Sequence, residues 1–150
     1  MRCLLLVFLF LSTFVFSQQS NSQIAYQYYI NGEYDKAISL YEELINLDFS
    51  ATYYLPYYNS LLKIENYKDA EYLAQRFVRK YPKDLQYQLG VIIAKDKSGN
   101  KVDISYKRLF KKMDGGRSQT INLANTFSRY AMYQKALHVY VLSENSFLSF

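Results

Sequence analysis

QIAYQYYINGEYDKAISLYEELINLD, residues 23–48, reads as two short amphipathic helices joined by a tight turn at Asn31-Gly32-Glu33. Ile24, Ala25, Tyr28 and Tyr29 place apolar atoms at helical spacing on the first helix. Gly32 lets the chain reverse without a Cβ penalty. Ala37, Ile38, Tyr41, Leu44 and Ile45 then recur at steps of three and four on the second helix. Ala37 is the small side chain at the point where two helices must come close.

The stretch Gly32-Glu33-Tyr34-Asp35-Lys36-Ala37 returns in altered form. Tyr67-Lys68-Asp69-Ala70 lies 33 residues on, and Tyr133-Gln134-Lys135-Ala136 lies two further periods along. A fixed period of this size marks an array of helical hairpins. Four units follow, over residues 23–49, 50–82, 83–116 and 117–145, with a polar tether at 18–22 and an apolar tail at 146–150.

In the second unit Ser50 is a helix-cap candidate. Tyr54, Tyr57, Tyr58, Leu61 and Leu62 line its first helix, Glu65-Asn66 takes the turn, and Tyr67, Ala70, Leu73, Ala74 and Phe77 line its second, which stops at Tyr81-Pro82. Pro56 requires the first helix either to start late, near Leu55, or to kink. The third unit is the least regular, with Tyr87, Leu89, Gly90 and Ile93 before a long polar turn at 95–101. Val102, Ile104, Tyr106, Leu109, Phe110 and Met113 follow, up to a stop at Asp114-Gly115-Gly116. The fourth has Ile121, Leu123, Ala124 and Phe127, a turn at 130–133, then Ala136, Leu137, Val139 and Tyr140.

This pattern resembles the tetratricopeptide repeat (TPR), a helix-turn-helix unit of about 34 residues. The likeness runs through Gly32, Tyr34 and Ala37, through Tyr67, Ala70 and the closing Pro82, through Leu89-Gly90, and through Tyr133 and Ala136. It covers roughly residues 20–145. Departures are Phe49 where the first unit would close with proline, Pro56, and the stretched third turn. The resemblance implies an all-α, right-handed superhelix whose repeats pack through Gly32, Tyr34, Ala37, Tyr67, Ala70, Pro82, Tyr133 and Ala136. It implies a concave groove lined by first helices, and a role in holding other proteins or peptides. Tyr26, Tyr29, Asn59, Lys63, Asn125 and Arg129 are the groove residues it suggests. Amides at Asn59 and Asn125 suit an extended peptide backbone, and cations at Lys63 and Arg129 suit a carboxylate. The basic clamp of chaperone-cofactor members is not reproduced, because Ser22 and Tyr26 stand where unit one would need its first-helix cation.

The first seventeen residues read as a secretory signal peptide. Met1-Arg2 is a short basic start, residues 3–16 are apolar apart from Ser12 and Thr13, and Ser17 meets polar Gln18. Fourteen residues make a helix of about 21 Å, short of the roughly 30 Å hydrocarbon core, so an uncleaved membrane anchor is the lesser alternative. Export to the periplasm, envelope or exterior is expected. Cys3 is the sole cysteine, and its removal with the leader leaves no thiol for disulfides, metal sites or nucleophilic chemistry. Seventeen tyrosines with no tryptophan, two prolines and five glycines favour a helical chain packed by aromatics over an all-β one.

Nothing in the sequence points to catalysis, a metal or a cofactor. His138 is single and lies on the exposed side of its helix; Glu42-Glu43 diverge around theirs. No glycine loop cradles phosphate. The net charge of +5 draws on two basic groups at helical spacing, Arg76, Arg79 and Lys80, then Lys107, Arg108, Lys111 and Lys112, opposed by acidic Glu42, Glu43 and Asp48 in unit one. Stacked repeats would align the basic groups as one outer, convex stripe, either an ordinary solvated face or a contact for an anionic surface such as phospholipid. Nucleic acid is not expected to meet an exported chain. The tail ends in Phe147, Leu148 and Phe150, so the chain is expected to be part of a longer array, to self-associate through its C-terminal end, or to fold its tail back on the last repeat. The leading reading is an interaction scaffold. The alternative is an envelope structural protein contacting anionic surfaces.

Overall fold

The computed structural model describes residues 20–113 and 116–147, with side chains through Leu142. The leader, the 114–115 link and residues 148–150 of the tail lie outside the described residues. Among the described residues eight α-helices follow one another: α1 Asn21–Ile30, α2 Tyr34–Leu47, α3 Tyr54–Lys63, α4 Tyr67–Lys80, α5 Leu85–Lys97, α6 Asp103–Lys111, α7 Arg117–Arg129 and α8 Tyr133–Phe147. There is no strand among the described residues. Each helix packs on its chain neighbour, α6 meeting α7 through Tyr106 and Phe110 against Phe127, and α1 also meets α3, as α5 meets α7. The result is a series of helical hairpins laid one on the next.

The four hairpin turns are built alike. Two residues after each first helix ends, the chain enters the left-handed region, at Gly32 (φ 79), Glu65 (φ 61), Gly99 (φ 85) and Ala131 (φ 58). In every turn that residue's N–H donates to the carbonyl three residues back, and the next N–H donates to the carbonyl five back. The pairs are Gly32 to Tyr29 with Glu33 to Tyr28, Glu65 to Leu62 with Asn66 to Leu61, Gly99 to Asp96 with Asn100 to Lys95, and Ala131 to Ser128 with Met132 to Phe127. This is the Schellman closure, which satisfies carbonyls that a helix end leaves open. Glycine adopts its backbone freely; an L side chain there costs about 1 kcal/mol. Ala131→Gly is therefore expected to raise the unfolding free energy by about 1 kcal/mol, and Gly32→Ala to lower it by about as much, read from urea midpoints.

Local differences from the sequence reading have physical reasons. The tether expected over 18–22 is, from Ser20 onward, the start of α1. The Ser20 hydroxyl accepts from the Gln23 N–H, and the Gln23 side chain accepts from the Ser20 N–H, a capping box. Pro56 is accommodated by a late start. Ser50 caps a short 3-10 turn, Ala51–Tyr53, and Pro56 falls in the first turn of α3, where its missing N–H would have been unpaired anyway. α6 has nine residues and stops before Met113.

The core divides into two groups. Ala25, Ala37, Tyr41, Tyr58, Ala70 and Phe77 belong to the first, in units one and two; Leu89, Ile93, Tyr106, Leu123, Phe127 and Val139 belong to the second. Leu62 and Tyr130 lie against both. Ala37, Ala70 and Ala136 are all buried. Tyr34 and Tyr67 are half-buried, but Tyr133, at the same place in the period, is 67% exposed. In unit one the corresponding face of α2 is covered by the next hairpin, with Tyr41 against Tyr53 and Tyr57. No described helix follows α8 to do the same for Tyr133 and Leu137. Pro82 is exposed just beyond α4, and its carbonyl accepts from Gln88.

Candidate functional site

The seam between the two core groups opens as a cleft of about 360 Å³ lined by Tyr29, Asn59, Leu62, Lys63, Lys97, Arg129 and Tyr130. Its cations occupy one position of the repeat. Lys63, Lys97 and Arg129 are the last residues of α3, α5 and α7. A cation there meets the negative end of its helix dipole, which gives a local reason for each. Unit one has Ile30 at this position, 53% exposed, so the series of cations stops where α1 begins.

An internal hydrogen-bond chain fixes the wall. The Tyr130 hydroxyl donates to Asn59 Oδ1 at 2.8 Å, and Asn59 Nδ2 donates to the Tyr29 hydroxyl at 3.2 Å. Three side chains from units one, two and four are thus tied together. Burial pushes the Tyr130 phenol well above its usual range; Arg129 opposes this and Tyr29 adds to it. Tyr130 stays a neutral donor at physiological pH. A smaller chamber of about 140 Å³, walled by Tyr54, Tyr58, Tyr87 and Gly90, shares Arg129 and Tyr130 with the cleft, so the two adjoin.

Of the six groove residues expected, the structure brings Tyr29, Asn59, Lys63 and Arg129 together. Asn59 does not present a free amide. It is half-buried, with its oxygen and one N–H engaged by tyrosines. Tyr26 lines a separate opening of about 830 Å³ with Ser22, Gln23, Tyr41 and Tyr53. Asn125 is exposed one turn before Arg129 on α7 and lines neither cavity. Lys97 and Tyr130 were missed by the sequence reading. The signal for Lys97 was its place one repeat beyond Lys63, obscured by the unusual third turn.

The basic stripe is not one surface. The Arg76 guanidinium and the Lys80 ammonium both sit 4.9 Å from the centre of the Phe49 ring, and Lys80 also donates to the Phe49 carbonyl. Phe49 in turn stacks on Phe77 at 4.4 Å. Arg79, Arg108 and Lys112 line a different groove, while Lys107 and Lys111 are exposed outside it. His138 is exposed, edge-on to Phe110 at 4.9 Å.

Arrangement and turn geometry define a TPR-like helical fold. Among solved structures, the chain is similar to MamA, residues 41 to the end, from Desulfovibrio magneticus RS-1. The TM-score is 0.53 at 16% identity, over 83% of this chain and 72% of that one. No family model matches the sequence, and no curated protein matches it.

Proposed function

We propose that the chain is a non-catalytic interaction module that holds an extended segment of a partner protein in the cleft at the turn ends of α1, α3, α5 and α7. The observation that carries this is the convergence of Lys63, Lys97 and Arg129 from three successive first helices, beside the Tyr29 and Tyr130 hydroxyls. These groups are chiefly hydrogen-bond donors, so they suit a segment rich in acceptors: main-chain carbonyls and carboxylates. The adjoining aromatic chamber is large enough for one apolar side chain. No nucleophile–base pair lines either cavity, so the chemistry on offer is binding. The apolar leader supports action in the periplasm, envelope or exterior.

The test is selection of peptides from a displayed random library, followed by titration of the selected peptide. Lys63→Glu combined with Arg129→Glu is expected to weaken binding by about tenfold or more, with circular dichroism unchanged. Retained affinity in the folded double variant would remove the cleft from consideration. Export is tested by fractionating cells that produce the full chain and weighing the recovered protein, with loss of the first seventeen residues expected.

A further inference from the structure

Distinct from the cleft, a groove of about 440 Å³ runs between α4 and α6 with α5 as its floor. Half-buried Val78 and Val91 lie over buried Ile92 and Leu109. Arg79 on one wall and Arg108 on the other frame this apolar floor. Neither guanidinium makes an ion pair or hydrogen bond with a described residue. The acidic group on α4 nearest in sequence, Glu71, is engaged by Lys95 at 3.4 Å and by Gln75 at 2.6 Å. The α6 wall, from Ser105 to Lys112, spans about 10 Å, room for one or two side chains and not for a whole helix.

The complementary feature stands on the same chain. Leu47, at the end of α2, is 84% exposed, the most exposed large apolar side chain among the described residues. Glu43 lies one helical turn before it and Asp48 directly after it. Both are exposed and neither has an ion-pair partner among the described residues. An apolar knob flanked by two carboxylates matches an apolar floor flanked by two guanidiniums in size, polarity and sign. Within one copy they do not meet: Phe49 is drawn onto Phe77 while Leu47 remains in solvent.

We propose that the groove receives the Glu43–Leu47–Asp48 knob of a second copy of this chain. Leu47 enters between Val78 and Val91, and Arg79 and Arg108 take the two carboxylates. Charge complementarity argues for this occupant: Glu43 and Asp48 of the knob and Arg79 and Arg108 of the groove have no ion-pair partner among the described residues. Knob and groove are different surfaces, so the contact is head-to-tail and the bound pair keeps one knob and one groove free. A single apolar anchor with two charge pairs gives a weak, salt-sensitive association that grows with concentration.

The experiment is sedimentation velocity on the full chain over a concentration series at low and high salt. The wild type is expected to rise above the mass of one copy at low salt and return to it at high salt. Two variants are made, Glu43→Lys/Asp48→Lys and Arg79→Glu/Arg108→Glu. All four sites are exposed, and circular dichroism verifies the fold. Each variant alone is expected to lose association by about tenfold or more, since each brings like charges together. Mixed in equal amounts they are expected to associate again, because the basic knob of one now fits the acidic groove of the other. A wild type that stays single at every concentration overturns the proposal, as do variants that associate like wild type or a mixture that stays single. A single-copy wild type that binds dodecanoate only while Arg79 and Arg108 are intact overturns it too, and assigns the groove to another anionic ligand.

Discussion

Raising the pH past 10 is expected to unfold the protein cooperatively, with the loss of helix complete before pH reaches about 13. The cause is the number of phenols whose neutral form the fold protects. Tyr41 and Tyr57 are pushed up to about 12, in both cases mainly by burial. Burial drives Tyr54, Tyr58 and Tyr130 higher still, and Tyr106 is raised by burial together with the Asp96 carboxylate that its hydroxyl contacts at 3.0 Å. In the unfolded chain each would ionise near the ordinary value of 10.0. A folded-state value above the unfolded one means that the stabilisation is fully present below pH 10 and is lost as pH climbs toward the folded values. Each such phenol removes about 1.4 kcal/mol per pH unit above 10. Six together exhaust a stability of about 5–15 kcal/mol within one or two units. Phenolate absorbance and far-ultraviolet circular dichroism, followed together, supply the check. Tyr41, Tyr54, Tyr57, Tyr58, Tyr106 and Tyr130 should ionise only as helix disappears. A single graded titration with the helices preserved would contradict this account.

Those tyrosines also show where the sequence could be read and where it could not. Their spacing along α2 and α3 gave away the packed faces, because an amphipathic period survives substitution of one bulky ring for another. Gly32 announced its turn, since glycine is what a left-handed position usually demands. Glu65 and Ala131 occupy the same left-handed position without any such sign, so the identity of the four turns became visible only in their backbone angles. The cleft was legible in part. Lys63 and Arg129 followed from placing first helices on one face, while Lys97 was hidden by a longer α5 and Tyr130 by its assignment to a turn. Asn59 was recognised as inward-facing, but its engagement by Tyr29 and Tyr130 depends on residues 30 and 71 positions away, which no local pattern encodes. Phe49 is the reverse case. It stood out as a departure from the repeat, and its consequence, drawing Arg76 and Lys80 out of the basic stripe and onto its ring, required coordinates.

Replacing Gly90 with alanine is expected to destabilise the protein by about 2 kcal/mol, although the same change in an exposed helix interior would stabilise it by about 1 kcal/mol. Gly90 lies inside α5, where a Cβ would come within 2.2 Å of the Tyr54 hydroxyl oxygen and 3.3 Å of the Ala74 Cβ. The hydroxyl cannot swing aside. The Tyr54 ring is held by Tyr58 at 5.3 Å, Phe77 at 4.8 Å and Tyr87 at 4.7 Å. α5 cannot readily shift either, because the Gly90 carbonyl accepts from the Tyr58 hydroxyl at 2.6 Å. The offending oxygen meanwhile has no hydrogen-bond partner among the described residues. Tyr54→Phe therefore removes a buried polar atom that gains nothing from the fold, and should leave stability unchanged or raise it by up to about 1 kcal/mol. With that oxygen gone, the atom of Tyr54 still facing a Cβ at position 90 is Cζ, at 3.5 Å, an ordinary contact. The double variant should then recover wild-type stability or exceed it, giving a coupling of about 2 kcal/mol or more in urea-unfolding cycles. Strictly additive effects would mean that the hydroxyl is not what forbids a side chain at Gly90, and that Ala74, closing in from α4, sets the distance between the two helices instead.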